Sequence, residues 1–228
     1  MSRGIKLKNL QALLEGFEGP PQPNIELEQY PTPPRLAAQT IFQAEQNFND
    51  IQGKTIADLG CGCGILSIAA LIMGAKQVLA YDLDPLSIEA AKRNLDQIDW
   101  DEPPQIVFYE QDVTQLSDVT VDTVLMNPPF GTRNKGKDIE FLQVASKIST
   151  GGIYSFHKTS TRHHVVDVAA PKLGLKGEVM FEVDFDLKKL YKFHKQNVKA
   201  IKVDILHFSH IDPSTLNTST PPKTITST

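Results

Sequence analysis

The sequence predicts an α/β fold: a mostly parallel seven-stranded sheet that ends in an antiparallel C-terminal hairpin. Three observations predict it. From Lys54 onward, short apolar runs alternate with amphipathic segments, the pattern of parallel strands joined by crossover helices. The glycine-rich stretch Gly60 to Gly64 falls between the first such run and the first such helix, where a parallel sheet places a ligand-binding turn. The last two strand-like segments lie too close together for a helical crossover and must pair antiparallel.

The elements follow in order. Ile5, Leu7, Leu10, Leu13 and Leu14 recur near helical spacing, which predicts a helix over Lys6 to Glu15. Prolines at 20, 21, 23, 31, 33 and 34 make the next stretch extended, and a helix over Arg35 to Phe48 starts where a missing N–H costs nothing. Strands are expected at Thr55 to Leu59, Gln77 to Tyr81, Gln105 to Glu110, Thr123 to Met126 and Gly152 to Phe156. Helices fit between and after them at Ile65 to Met73, Pro85 to Ile98, Asp138 to Ile148 and Ser160 to Leu173. Gly177 to Leu187 and Val198 to Phe208 form the closing hairpin. The expected organisation is an N-terminal helical and lid segment over 1–53, a core over 54–211 and a tail over 212–228. Nine of the fifteen residues from Ser214 to Thr228 are Ser or Thr, too polar to supply a core, so disorder is expected there.

Composition narrows the function classes. With 228 residues, 40% of them hydrophobic, the chain suits one domain. No apolar run approaches the roughly 20 residues of a membrane span, and Met1 to Leu10 lacks the apolar block of a signal peptide, so a soluble, intracellular protein is expected. Cys61 and Cys63 have no partners for a disulfide framework or a four-ligand metal site, and no metal is expected. A net charge of −4 argues against nucleic-acid binding by bulk electrostatics. One segment is basic: from Leu187 to Val203 there are six lysines and His194, with no acid.

Candidate site residues cluster at the strand ends. Asp58-Leu59-Gly60-Cys61-Gly62-Cys63-Gly64 has the spacing G-x-G-x-G rather than the G-x-G-x-x-G that seats a pyrophosphate. A compact loop of this kind suits S-adenosylmethionine (SAM), which has an amino acid end and a nucleoside end but no phosphate. Asp82, twenty-two positions after Gly60, ends the second strand where an acid can accept from both ribose hydroxyls. Asp112, beside Val113, follows the third strand and can accept from the cofactor's adenine amino group. Each acid alone reads better as a turn or helix cap, but three features in order at successive strand ends form a constellation.

After the fourth strand comes Asn127-Pro128-Pro129-Phe130. Methylating a planar exocyclic amine is difficult because its lone pair is delocalised. Two fixed acceptors for the two N–H bonds draw the nitrogen toward tetrahedral geometry, and the Asn127 side-chain oxygen and Pro128 carbonyl can be that pair, with Pro129 stiffening the turn. Phe130 is expected to stack on the planar substrate.

These strings, with Glu28-Gln29-Tyr30-Pro31-Thr32, His157-Lys158, Ser160-Thr161-Arg162 and Tyr191-Lys192-Phe193-His194-Lys195, resemble Rossmann-like class I methyltransferases. More narrowly, from about Ile5 to Ser209, they resemble the methyltransferase-like protein five family. The resemblance implies transfer of a methyl group from SAM to adenine N6 in small-subunit (18S) ribosomal RNA. It also implies cofactor contacts from Gln29, Thr32, Gly60, Cys63, Ile65, Asp82, Asp112 and Val113, to which the sequence reading adds Asp58 and Gly62. It implies a heterodimer with a small zinc-ribbon activator protein and a location in nucleus, nucleolus and cytoplasm. Lys158, Arg162, Lys192, His194 and Lys195 become candidate RNA contacts, with Tyr191 and Phe193 interleaved as stacking surfaces. The competing readings are a protein glutamine N5-methyltransferase using the same two acceptors, a DNA methyltransferase, and a non-catalytic scaffold of the same fold.

Overall fold

The computed structural model describes residues 4–24, 26–131, 134–185, 201–212 and 214. The segment 186–200, with Lys192, His194 and Lys195, and residues 215–228 of the Ser/Thr tail lie outside the described residues. Two helices, α1 (Leu7–Leu14) and α2 (Pro34–Phe48), precede the sheet. Then come β1 (Thr55–Leu59), α3 (Ile65–Ile72), β2 (Gln77–Asp82), α4 (Pro85–Leu95), β3 (Ile106–Glu110), β4 (Thr123–Met126), α5 (Lys137–Ile148) and β5 (Ile153–Lys158). The hairpin is β6 (Leu175–Phe185) and β7 (Ile201–His210). The seven strands run in the order β3-β2-β1-β4-β5-β7-β6, parallel except for β7, which is antiparallel to both β5 and β6. This is the predicted Rossmann-like class I methyltransferase sheet.

Local chemistry sets the helix ends. Pro33 and Pro34 begin α2, and its last turn closes on Asn49 in the left-handed region. Asp84 caps α4 by accepting from the Leu86 N–H, with Pro85 in the first turn. The predicted helix over Ser160 to Leu173 differs in detail. A 3-10 turn over Thr159–Thr161 leads into a π-helical stretch, His164–Ala169, that tightens to α only at Ala170–Lys172. Pro171 is the physical reason: its ring and missing N–H disrupt the regular ladder behind it, and the wider π turn absorbs the misfit.

Both sheet faces are covered. Leu10, Leu14, Ile41 and Ile68 from α1, α2 and α3 pack with Ile56, Leu125 and Tyr154 on one side. Phe141, Leu142 and Ile148 from α5 pack with Leu59, Val124 and Met126 on the other. Every residue of β4 is buried, as expected for an inner strand covered on both faces. The N-terminal segment shares this core, since Leu10 and Leu14 are fully buried within it. Each such leucine contributes about 1.5–3 kcal/mol of apolar burial.

Candidate active site

Register alone assembles the site. Leu59 pairs with Met126, so Gly60 and Asn127 are the first residues past adjacent strand ends. Leu59 also pairs with Tyr81, and Asp82 pairs with Glu110, which brings Asp82 beside Gly60 and Asp112 beside Asp82. Because β4 lies on the opposite side of β1 from β2, this is the point where the strand order reverses, and a crevice opens there. A cavity of about 360 Å³ occupies it, within the size range of small-molecule sites.

Gly60, Gly62 and Cys63 line that cavity. Gly60 and Gly64 have φ of +71° and +78°, and a Cβ at Gly64 would lie 2.9 Å from the Ala91 Cβ. Gly60 and Cys61 both donate their N–H groups to the Tyr81 carbonyl, folding the loop over the end of β2. Asp58 lies beneath the loop and is fully buried, accepting from the Ser67 N–H (3.1 Å) and hydroxyl (2.6 Å) through one oxygen. Its other oxygen has no partner among the described residues, and burial pushes the carboxyl up to about 7. Ile65, the first residue of α3, is buried below the loop as well. Burial lifts the Cys63 thiol to about 11 and raises Cys61 too, so neither is a nucleophile at neutral pH.

Asp82 and Asp112 stand in the cavity wall. The Asp82 oxygens accept from the Gly62 N–H (2.7 Å) and the Asp84 N–H (2.9 Å), and burial raises its pKa. Each oxygen keeps a lone pair for a hydroxyl or amine donor. Asp112 caps the short 3-10 turn Val113–Gln115, accepting from the Thr114 N–H and hydroxyl. The turn-capping role weighed from sequence is therefore present, and it leaves the second carboxylate oxygen for a ligand. Two carboxylates repel a pyrophosphate and favour donor-rich groups, so this wall fits SAM. Sequence reasoning missed Leu83, an apolar residue that lines the cavity while 53% exposed. Its signal was available: an apolar side chain directly after the strand-ending acid has no core to enter.

Gly19, Pro20 and the stretch from Leu27 to Pro31 form the roof. Gln29 donates to Asp84 Oδ2 (2.7 Å) and to the Ser87 hydroxyl, and accepts from the Asn24 N–H (2.6 Å), tying the lid to the start of α4. Asn134 donates its N–H to Glu28 and its amide to the Glu26 carbonyl, tying the lid to the loop after β4. Glu28 itself is buried at φ +52°, a strained position for which the residue pattern holds no signal.

Asn127 and Pro129 also line the cavity, and the Asn127 amide donates to the Thr32 hydroxyl at 2.9 Å. Phe130 sits differently from its expected role as a free stacking face. It is only 7% exposed, with Tyr30 nearly parallel to it at 6.4 Å between centroids and Phe185 edge-on at 6.0 Å. Stacking of a base on Phe130 therefore requires the lid residue Tyr30 to swing aside. Lys158 ends β5, two residues past Phe156. Arg162 is engaged by the hairpin: its guanidinium donates twice to the buried Asp204 and once to Glu182. That geometry favours a structural role for Arg162 over a free phosphate contact.

Comparison with known proteins places this geometry. The family model for ribosomal protein L11 methyltransferase (PrmA) matches residues 38–128, the cofactor half alone. The rRNA N(6)-adenosine-methyltransferase Mettl5 of Drosophila melanogaster is 42% identical over 209 residues, covering 90% of this chain and 96% of that protein. The chain belongs to the METTL5 family. A second METTL5 relative, metl-5 of Caenorhabditis elegans, is 34% identical and covers 87% of this chain and 94% of its own length. The crystal structure of the Pyrococcus horikoshii protein PH1948, whose name proposes an RNA methyltransferase, superimposes with a TM-score of 0.79 at 31% identity. It covers 92% of this chain and 98% of that one. The METTL5 relatives cover about nine-tenths of this chain, well beyond the stretch matched by the L11 methyltransferase model.

Proposed function

We propose that this chain is a SAM-dependent methyltransferase acting on the N6 amino group of an adenosine in ribosomal RNA, specifically that of the small subunit. The observation that carries the proposal is the Leu59–Met126 register, which sets the Asn127 turn directly beside the glycine cavity. Membership of the METTL5 family supports the same reading, because relatives that cover about nine-tenths of the chain are named for this reaction. The glutamine alternative is set aside on that ground.

The bound cofactor supplies an electrophilic methyl group on a sulfonium. The chain's own residues supply the rest. Asp82 and Asp112 hold the nucleoside end by accepting from its donors, and the glycine turns allow close backbone approach. Asn127 Oδ1 and the Pro128 carbonyl accept the two N–H bonds of the target amine, which localises its lone pair for attack. The lid, tied to α4 and to residue 134, holds the reactants together. The proton released after alkylation leaves to water, so no strong base is required.

RNA contact falls to Lys158 and to Lys192, His194 and Lys195. The zinc-ribbon activator is part of the proposal. Support for its docking comes from β3, the edge strand among the described residues, where Val107 and Tyr109 are 39% and 37% exposed. A site of action in nucleus, nucleolus and cytoplasm follows from a ribosomal substrate. Transfer of label from SAM to ribosomal RNA tests the function, with product sensitive to nuclease and resistant to protease. Asn127→Ala is expected to abolish that transfer while SAM affinity measured by calorimetry holds. Label in protein alone would overturn the proposal.

A further inference from the structure

We propose that Thr32 is a positioning residue for the reaction: its hydroxyl fixes which end of the Asn127 carboxamide faces the substrate. This deepens the reading above and rests on it. An amide has one accepting end and one donating end, nearly equal in shape, and only the oxygen can receive an amine N–H. Turned the wrong way, Asn127 would present two N–H groups to two N–H groups, and the grip on the amine would fail.

Asn127 Nδ2 donates to Thr32 Oγ1 at 2.9 Å, across 95 residues of sequence. Its Oδ1 has no hydrogen bond among the described residues, and Asn127 lines the cavity. The anchor is stiff. Thr32 is buried, stands between Pro31 and Pro33, and directly precedes the Pro33 that caps α2, a helix of 15 residues. The lid around it is itself pinned, by Gln29 to Asp84 and by Asn134 to Glu26. Thr32 lies behind the cavity lining, so its lone pair meets the Asn127 amide from the protein side and Oδ1 is left for the cavity. The contact that joins the lid segment to the Asn127 turn thus also orients the catalytic amide.

The test compares Thr32→Val, which keeps the shape and removes the hydroxyl, with Thr32→Ser, which keeps the hydroxyl. Single-turnover rates are measured on the RNA substrate at saturating SAM, so that any loss of cofactor affinity, followed separately by calorimetry, drops out. The valine variant is expected to slow turnover by about 10- to 100-fold, and the serine variant to stay within about 3-fold of the parent. The side-chain amide resonances of Asn127, observed by nitrogen-15 NMR without turnover, should shift and exchange faster with water in Thr32→Val and be restored in Thr32→Ser. A carboxylate has two equivalent accepting ends, so in an Asn127→Asp background the valine change should cost less than about 3-fold.

Normal turnover and an unmoved Asn127 amide in Thr32→Val would overturn the inference, as would an equal loss in the Asn127→Asp background. Should Asn127→Asp prove inactive, the serine rescue and the amide resonances decide alone. Failure of the underlying reading looks different: either the parent chain labels no RNA, or Asn127→Ala still labels it. An inactive Asn127→Ala with a fully active Thr32→Val sinks only the role of Thr32.

Discussion

Replacing Asp58 with asparagine should change how stability depends on pH, in a direction opposite to that of most carboxylates. Asp58 is fully buried under the glycine loop, with one oxygen bound to Ser67 and the other without a partner among the described residues. Burial lifts its pKa from 3.8 to about 7. Between those values the folded protein holds a proton that the unfolded chain has released. A folded pKa raised above the unfolded one contributes stability that is fully present below about pH 4 and is lost as pH rises through 7. From about 7 minus 3.8, the shift is roughly three units, and at 1.36 kcal/mol per unit the full swing is about 4 kcal/mol. The carboxamide of the variant is uncharged at every pH and can still accept from Ser67. Urea unfolding of both proteins from pH 4 to pH 8 provides the assay, and taking the difference cancels all other titrating groups. Wild type minus Asp58→Asn should become less favourable to wild type by about 4 kcal/mol across that range. Parallel stability profiles, differing by less than about 1 kcal/mol in their change with pH, would refute the reasoning.

Gly64→Ala places a Cβ 2.9 Å from the Ala91 Cβ at φ +78° and is expected to cost about 2–4 kcal/mol in chemical denaturation. A cost below about 0.5 kcal/mol would mean the loop relaxes freely. Arg162→Ala leaves the buried Asp204 without its two guanidinium bonds, so the urea midpoint should fall in the same assay. A raised KM for RNA at an unchanged midpoint would make Arg162 a substrate contact instead. Leu83→Ala removes an apolar wall of the cavity from a half-exposed position. Cofactor affinity by calorimetry should fall about 5- to 10-fold with the melting temperature unmoved, and unchanged affinity would remove Leu83 from the site.

The strands and the strand-end acids were legible because both have local causes. Apolar runs of strand length fixed β1 to β5 to within two residues at either end, and Asp82 and Asp112 follow directly from where β2 and β3 stop. The helix before β6 was less legible. Its residues read as one regular helix, and only the position of Pro171 relative to the preceding turn produces the π stretch. The lid was not legible from pattern at all. Six prolines between 20 and 34 look like a connector, and the bonds that make the segment a roof run from Gln29 to Asp84 and from Glu26 to Asn134, partners 55 and 108 residues away. Resemblance supplied Gln29 and Thr32, whereas the contact of Thr32 with Asn127 needed three dimensions. Phe130 was expected as a free stacking face, and its packing against Tyr30 and Phe185 depends on segments distant in sequence.

The likenesses differ in how much of the chain they cover. The match to the ribosomal protein L11 methyltransferase family runs from 38 to 128, through β1, the glycine loop and Asp82, and stops at the second residue of the Asn-Pro-Pro-Phe turn. A protein methyltransferase and an rRNA methyltransferase thus share the half that holds the cofactor, and that half cannot by itself distinguish a protein from an RNA. What lies outside the shared stretch is the lid with Tyr30 and Thr32, the ring of Phe130, and the hairpin that brings Phe185 against it. Tyr30 and Phe185 both pack on the Phe130 ring, and Thr32 holds the amide of Asn127. Exchanging lid or hairpin between two such enzymes should therefore move substrate preference while leaving cofactor affinity in place. Exchanging the stretch from β1 to β4 should do the reverse.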